Sequence, residues 1–405
     1  MKRTLQKLTH NSFVIWMRHK RTALLISLCN ALLLSLLTYI LNNQPLFTGE
    51  DLNHFAWMEL LKERLGLEDI TRKDDVLFVN VAYDKQLIEL SDEYGMPIGN
   101  TDITDRKKLL CFLQMLDSTK QYSYAFLDVR FEKGHEMPEV DSLLFSTISK
   151  MKNVVVASHS DVETAIGLPI DRTAVSDYDA TIVTTNFVRY RFSYGNKPSM
   201  ALQAYQDLKG NEIKRHGCLF YTCDGRLCYN SLFVSFPIED FNEFNDDNSK
   251  TYYNLGSDLI NSYSYDDIGT LTKGKYVVIG DMIEDMHDTY SGPKPGSVIT
   301  FYAFRALMEG KHFVNMWLVL LMAIVYFAIS ISQFSHHSII ERIPIIGKSK
   351  SKILHFVVSL IGYTLLLSII VIILNLIWGI TTSILLPSAY FAIQKNIINY
   401  KRTEI

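Results

Sequence analysis

The chain has 405 residues with 40 basic and 43 acidic side chains, and its net charge of −3 hides an uneven distribution. Thirteen basic and two acidic residues lie in residues 1–22, 333–352 and 395–405, which leaves 27 basic and 41 acidic residues, a balance of −14, in residues 42–313. An acidic segment of this size argues against nucleic acid as a partner. Basic residues concentrated beside apolar stretches are typical of cytoplasmic loops in a membrane protein.

The first apolar stretch, residues 23–41, contains no charged residue and directly follows the basic cluster at residues 18–21. Its length is close to the roughly 20 residues that one membrane crossing requires. A cleaved secretory signal would have a shorter apolar core and a small-residue cleavage site, which residues 38–43 do not offer. We therefore predict an uncleaved transmembrane helix with residues 1–22 in the cytoplasm, followed by a short amphipathic helix at residues 55–65.

Residues 42–313 alternate between short apolar runs and helical patterns. Runs rich in β-branched and aromatic residues predict four strands, at residues 76–83, 122–129, 153–157 and 275–280. Apolar side chains at helical spacing predict helices between them, including one that begins near Thr104 and one near Pro138. Strands that alternate with helices predict an α/β domain, with a mostly parallel or mixed sheet and flanking helices.

Acidic side chains stand at or just after the ends of these predicted strands. They are Asp84, Asp128, Asp281, Asp285 and Asp288. Open α/β sheets bind ligands at the carboxyl ends of their strands, so these carboxylates could converge on one small-molecule pocket. With His287 they could also ligate a divalent metal, and the plainer alternative is that each carboxylate caps the loop or helix that follows it. We predict no metal and no cofactor.

No catalytic motif is recognisable. The chain has no Gly-rich phosphate loop, no nucleophile elbow and no zincin motif. Ser158-His159-Ser160-Asp161 contains the residue types of a hydrolase triad, but adjacent residues cannot adopt its geometry, so chance composition is the better explanation. We therefore predict that the protein is not an enzyme.

Three of the five cysteines, Cys218, Cys223 and Cys228, lie close together in the acidic domain. If that domain is outside the cytoplasm, its compartment is oxidising and a disulfide is expected. Cys223 and Cys228 flank an Asp-Gly turn between two predicted short strands, so they are the simplest pair. A zinc site with His216 as a fourth ligand is the alternative, although the spacings differ from those of common zinc motifs.

Further apolar segments follow the domain. Residues 314–332 are an uncharged stretch of spanning length, and a basic loop at residues 333–352 follows them. The next apolar block is about twice as long as one crossing. Division of this block into spans at residues 353–374 and 379–394 keeps the basic tail, residues 395–405, in the cytoplasm. We therefore predict four transmembrane helices with both termini in the cytoplasm.

Short motifs occur in an order that is familiar from a bacterial family. Residues 274–280 read Gly-Lys-Tyr-Val-Val-Ile-Gly and are followed by Asp288, by Pro295-Gly296-Ser297-Val298 and by a helical pattern. This stretch, between a first span and several C-terminal spans, resembles the second type of CHASE domain, the cyclase- and histidine-kinase-associated sensory extracellular domain. Residues 79–84 and 126–131 are similar to two of its strands, and Arg106 is similar to the Arg that begins its first helix.

Two features depart from the family pattern. Met96-Pro97-Ile98-Gly99-Asn100 stands where the family usually has a Trp-Pro-Trp-like approach to the Arg, so the contacts of that loop are expected to differ. Family members commonly continue into a kinase or cyclase module, whereas only a tail, residues 395–405, is expected here after the last span.

The resemblance implies a bacterial inner-membrane protein with a periplasmic or extracellular sensory domain at residues 42–313. It would bind an unknown small molecule and signal through a separate protein partner, and its contacts would include the lipid bilayer. Our candidate ligand-binding residues are Asp84, Arg106, Asp128, Asp281 and Asp288. The alternatives are a structural or assembly subunit of a cell-envelope complex and, less favoured, a metal-dependent periplasmic hydrolase.

Overall fold

The computed structural model divides the chain into two compact units, Met1–Leu61 with Val314–Ile405 and Lys62–Phe313. It describes residues 2–43, 50–66, 75–91, 94, 96–177, 187, 189–217, 219–236, 251–334, 352–378 and 383–403. The helices are α1 (Lys2–Asn42), α2 (Glu50–Leu65), α3 (Arg106–Thr119), α4 (Pro138–Lys150), α5 (Met200–Lys209), α6 (Tyr265–Thr272), α7 (Gly296–Met308), α8 (Met316–Phe334), α9 (Lys352–Trp378) and α10 (Leu385–Thr403).

The strands all belong to the unit Lys62–Phe313. They are β1 (Val76–Asn80), β2 (Lys85–Ser91), β3 (Pro97–Thr104), β4 (Tyr124–Asp128), β5 (Val154–Ser158), β6 (Thr173–Val175), β7 (Tyr190–Arg191), β8 (Ser193–Tyr194), β9 (Lys197–Pro198), β10 (Ile213–His216), β11 (Phe220–Cys223), β12 (Arg226–Cys228), β13 (Ser231–Leu232), β14 (Tyr252–Asn254), β15 (Tyr276–Gly280), β16 (Met286–Thr289) and β17 (Gly292–Pro295).

A six-stranded sheet in the order β14-β1-β15-β4-β5-β6 lies at the centre of this unit. Every adjacent pair of its strands is parallel, which confirms the predicted α/β architecture. The strand β15 comes late in the chain but lies between β1 and β4. Residues that are far apart in sequence therefore meet at the centre of the carboxyl-terminal edge.

Side chains of the sheet alternate between two apolar layers. Val76 and Phe78 of β1 pack in the layer that contains α5 and α7, whereas Leu77 and Val79 pack in the layer that contains α3, α4 and α6. A parallel sheet covered on both faces is expected to consist of nearly continuous apolar runs, and all five residues of β1 are buried. Each fully buried large apolar side chain contributes about 1.5–3 kcal/mol to folding.

The strand β15 ends at Gly280, where α7 comes close to the sheet. A Cβ atom at Gly280 would lie 2.8 Å from the Cβ of Ser297 and 3.4 Å from the Cβ of Asp128. A glycine inside a strand often marks such a close approach. Gly280 thus allows the first turn of α7 to lie beside the end of β4.

The β2–β3 hairpin was missed by the sequence analysis. Its strands pair antiparallel from Lys85 opposite Thr104 to Ser91 opposite Pro97. Most of β3 is exposed, and its Pro97-Ile98-Gly99-Asn100 segment has no apolar alternation, so it has the composition of a loop. This hairpin provides one side of the site described below.

The hairpin predicted around Asp224-Gly225 is present as β11 and β12, but the disulfide predicted between Cys223 and Cys228 is not formed. The register pairs Cys223 with Arg226 and Cys228 with Tyr221, so the two cysteines are not opposite each other. Burial raises the pKa of both thiols, that of Cys228 to about 12. Cys218 lies outside the described residues.

Three helical segments of the described residues are long and apolar enough to cross a membrane. They are Lys20–Asn42, Met316–Phe334 and Ile353–Leu374. They coincide with three of the four predicted spans. The apolar block after residue 352 consists of two helices, α9 and α10, which pack together. The helix α10 carries three basic residues and is not one of the three segments, and residues 379–382 of the fourth predicted span lie outside the described part of the chain.

Buried polar side chains connect the apolar helices of the unit that contains α1. Asn30 of α1 donates a hydrogen bond to Ser330 of α8 at 2.9 Å and accepts one from the hydroxyl of Tyr390 of α10. Gln394, one turn beyond Tyr390, donates to the same Ser330 hydroxyl at 3.3 Å. The four side chains form a hydrogen-bonded chain that connects three helices. Such hydrogen bonds stabilise helix association in a bilayer, where helix contacts gain no hydrophobic driving force.

Candidate functional site

A cavity of about 910 Å³ lies at the carboxyl-terminal edge of the parallel sheet. Residues at or just after the ends of four strands line it: Asp128 of β4, His159 after β5, Ser176 and Asp177 after β6, and Asp281 after β15. The volume is within the range of small-molecule sites. Ligands of open α/β sheets bind at this edge, so the cavity is the candidate functional site.

Other walls of the cavity come from outside the sheet. The β2–β3 hairpin contributes Lys85 and Asp102, the loop before β16 contributes Asp285, and α7 contributes Thr300. Aromatic rings also line it, those of Phe187, Tyr190 and Tyr194. The site therefore combines charged side chains with an aromatic surface.

Asp128 is the carboxylate whose pKa departs most from its usual value in this cavity. Burial, and next the negative charge of Asp285, raise its pKa to about 6. The hydroxyl of Ser176 donates to Asp128 at 2.9 Å and opposes that rise, as do the nearby rings of His159 and His287. Carboxyl groups perturbed by burial and by a like charge inside a cleft are typical of binding and catalytic sites.

Two histidines of the cavity each contact one aspartate. The Nδ1 of His159 lies 3.1 Å from the Oδ1 of Asp177, and the Nε2 of His287 lies 3.0 Å from the Oδ1 of Asp285. In each pair one ring nitrogen contacts the carboxylate, and this contact holds the ring in its orientation. The other ring nitrogen of His159 is one that a ligand could contact.

Asp177 also binds the residue that follows His159. It accepts hydrogen bonds from the backbone N–H and from the hydroxyl of Ser160. Burial by itself would raise the pKa of Asp177, but these bonds and the His159 contact outweigh burial and hold the pKa below its usual range. Ser160 and His159 therefore share one carboxylate and do not contact each other in the manner of a catalytic triad.

His159, Asp161 and Asp177 form a group that could hold a metal ion. One ligand atom from each lies within 4.8 Å of the others. Imidazole with carboxylates suits zinc or manganese. However, Asp177 already accepts three hydrogen bonds, and the exposed Asp161 lies 3.7 Å from Arg130. A metal would have to displace part of this network.

Asp281 lines the cavity and also caps the loop that follows it. Its Oδ2 accepts from the Nζ of Lys85 at 2.8 Å, and its Oδ1 caps the backbone N–H groups of Ile283 and Glu284 at 3.0 and 2.8 Å. Burial would raise its pKa, but the bonds from Lys85 and from the loop outweigh burial and lower it. Asp281 thus lines the cavity as an ion-paired, structural carboxylate.

Asp84 does not line the cavity. Its carboxylate accepts from the Nζ of Lys108 at 2.7 Å and from the backbone N–H of Gly256 at 2.9 Å. These contacts connect the loop after β1 with α3 and with the short π-helix Leu255–Ile260 that follows β14. Asp84 therefore has a structural role, although its contacts are not with the loop that directly follows it.

Arg106 lies one layer behind the cavity wall. Its side chain is 1% exposed, its guanidinium is 4.1 Å from the ring centroid of Phe131, and it donates to the carbonyl of Arg130 at 3.0 Å. Burial outweighs the attraction of Asp141 and lowers its pKa to about 10. Because Arg130 lines the cavity, Arg106 supports the wall and does not face the space inside.

Asp288 is exposed on β16, opposite Pro293, and lies outside the lining. The structure therefore brings Asp128 and Asp281 into the cavity and leaves Asp84, Arg106 and Asp288 out of it. Sequence reasoning missed Asp177, because the three-residue strand β6 before it is too short to give a periodic signal.

We compared the chain with protein-family models, with curated proteins and with solved structures, and none of these comparisons gave a match.

Proposed function

We propose that the unit Lys62–Phe313 is a small-molecule sensory domain, that the cavity is its ligand site and that apolar helices anchor the protein in a membrane. The cavity carries this proposal. Asp128, Asp177 and Asp281 line this cavity of about 910 Å³ and are largely shielded from bulk water, and a shielded charge is costly unless it is fully paired. A ligand that completes those pairings explains why such a lining exists.

The proposal places the domain outside the cytoplasm. The acidic balance of −14 in residues 42–313, against the basic segments beside the apolar helices, supports this orientation. Together with the resemblance to CHASE domains, it supports a bacterial inner membrane, with both termini in the cytoplasm.

Signalling would require a second protein that reads the occupancy of the cavity. Such a sensor needs two arrangements that a ligand stabilises to different extents. Crosslinking in intact cells, with and without the ligand, tests this part of the proposal. A stoichiometric partner whose crosslinking ignores the ligand would instead support the assembly role.

A screen with a cavity-blocking variant tests the ligand site. Thr101 of β3 lines the cavity, whereas Leu87 of the paired strand β2 is 76% exposed and does not line it. Thr101→Trp should fill part of the cavity, and Leu87→Trp is the matched control on the same hairpin. Compounds that raise the melting temperature of the full-length protein in nanodiscs should stabilise the control and should lose their effect on Thr101→Trp.

The proposed function fails if every stabilising compound acts equally on wild type and on Thr101→Trp. The same holds if a metabolite library gives no stabilising compound at all while both variants melt as the wild type does.

A further inference from the structure

The charge of the cavity wall is strongly unbalanced. Among the described residues, eight carboxylates line the cavity but only two permanently positive side chains, Lys85 and Arg130. The carboxylates are those of Asp102, Asp128, Glu132, Asp161, Asp177, Asp281, Glu284 and Asp285. A cleft lined by one sign of charge concentrates ligands of the opposite sign.

The two basic side chains of the wall are already engaged. Lys85 lies 2.8 Å from Asp281 and 3.6 Å from Glu284. Arg130 lies 2.9 Å from Glu132 and 3.7 Å from Asp161. Lys85 and Arg130 each pair with two carboxylates. Neither of them forms an ion pair with Asp128 or Asp285.

Asp128 and Asp285 are the pair that a ligand would relieve. Their charges repel each other, which is one cause of the raised pKa of Asp128. Further carboxylates of the lining belong to other elements, Asp102 to β3 and Asp177 to the loop after β6, so the negative charge is spread along the wall. An extended ligand with separated positive centres matches this distribution better than one ion does.

The aromatic side of the cavity suits the same kind of ligand. Phe187 and Tyr190 are 3% and 4% exposed, so their rings are held in place by packing. The hydroxyl of Tyr194 donates to the backbone carbonyl of Asp177, and the guanidinium of Arg191 already lies 5.1 Å from the centroid of the Tyr194 ring, so this ring has the position of a cation-binding surface. Organic cations gain about 0.5–2 kcal/mol from contact with an aromatic face.

We propose that this cavity binds an organic cation with at least two positive centres, a di- or polyamine. The inference rests on the proposed function and names the ligand class of the same site. The cavity volume of about 910 Å³ leaves room for an aliphatic chain between the charged ends. In this arrangement one ammonium group lies between Asp128 and Asp285, and another faces the remaining acids beside the aromatic rings.

Titration calorimetry on the full-length protein tests the inference. The protein is placed in nanodiscs of phosphatidylcholine, which carries no net charge and so adds no anionic surface for amines. Putrescine and spermidine are the probes, succinate is the anionic control of similar length, and Mg²⁺, Mn²⁺ and Zn²⁺ are the metal controls. We expect the amines to bind at neutral pH and to bind several-fold less tightly as salt rises.

Matched substitutions locate the site. Asp128→Asn and Asp285→Asn should each weaken amine binding by about tenfold or more, because each leaves an ammonium group without its partner. Asp288→Asn removes the same charge only three residues from Asp285 but outside the lining, and it should leave the affinity within about twofold. Melting temperatures of all variants show whether a loss of binding reflects a loss of folding.

Several outcomes overturn the amine inference. It fails if the amines do not bind, if Asp288→Asn weakens binding as much as Asp128→Asn, or if only a divalent metal binds and His159→Ala abolishes that binding. Succinate or a neutral compound that binds and is blocked by Thr101→Trp would overturn the ligand class but leave the proposed function intact. The blocking screen above decides the proposed function separately.

Discussion

At the scale of single residues, carboxylates at strand ends have two distinct roles. Asp84 is fully engaged by Lys108 and by a backbone N–H, and Asp281 is both a cap and an ion-pair partner. Asp128 accepts one hydrogen bond, from the hydroxyl of Ser176. Burial and the negative charge of Asp285 disfavour its ionised form. The position after a strand is the same for all three, so the neighbouring side chains decide which role each one takes.

Asp128→Asn should raise the stability of the ligand-free protein above pH 6. The folded-state pKa of about 6 lies above the usual 3.8, so the neutral carboxyl is favourable at low pH and that stability is lost as pH rises through 6. Asparagine stays neutral and should gain about 1–3 kcal/mol at pH 8. Chemical unfolding at pH 8 and at pH 4 measures this gain, which should shrink at pH 4. An equal gain at both values would contradict the charge explanation.

At the scale of elements, the site depends on contacts between segments that are distant in sequence. The strand β15 is inserted between β1 and β4, and Gly280 lets α7 approach the end of β4. The hairpin β2–β3 provides a further wall although its exposed strand has the composition of a loop. In the apolar helices, the hydrogen-bonded chain around Asn30 has a comparable role, since it connects α1, α8 and α10.

Asn30→Ala should destabilise the helical unit by about 1 kcal/mol, because it removes hydrogen bonds to Ser330 and Tyr390 from a buried site. Cys29→Ala is the matched control, since Cys29 is an exposed thiol on the adjacent position of the same helix. Unfolding of the protein in mixed detergent micelles measures both variants. Equal stability of the two variants would mean that the hydrogen bonds of Asn30 do not contribute to helix packing.

At the scale of the whole molecule, the path of α9 and α10 decides on which side of a membrane residue 405 would lie. Three described segments are able to span, and α10 is a separate helix whose second half is basic. If α9 and α10 form a membrane hairpin, the residues after α10 return to the cytoplasm, as the positive-inside rule favours.

A reporter fused after Ile405 should behave as cytoplasmic, and a reporter inserted beside Trp378 should behave as external. A second insertion within residues 335–351 should be cytoplasmic and serves as the control, because it lies between α8 and α9. An external signal after Ile405 would show that α10 does not cross the membrane. That result would leave the ligand site unaffected but would rule out a cytoplasmic tail.

The buried parallel strands and the long apolar helices could be predicted from residue patterns. Continuous apolar runs such as β1 and β15 are strong signals of buried parallel strands, and the long uncharged segments were equally clear. Short or exposed strands gave no such signal: β3 lacks alternation, and β6 has three residues. The predicted disulfide is not formed because the two-residue turn pairs Cys223 with Arg226 and leaves Cys228 opposite Tyr221.

The sequence by itself determined the α/β class, the apolar helices and the presence of carboxylates at strand ends, because each depends on local composition and periodicity. Only the tertiary structure decided which of those carboxylates share a space. Strand order, the close approach at Gly280 and the position of the β2–β3 hairpin bring Asp128, Asp177 and Asp285 to one cavity and leave Asp84 and Asp288 outside it. Those contacts join residues that are far apart in the chain, whereas composition and periodicity depend only on residues that are close in sequence.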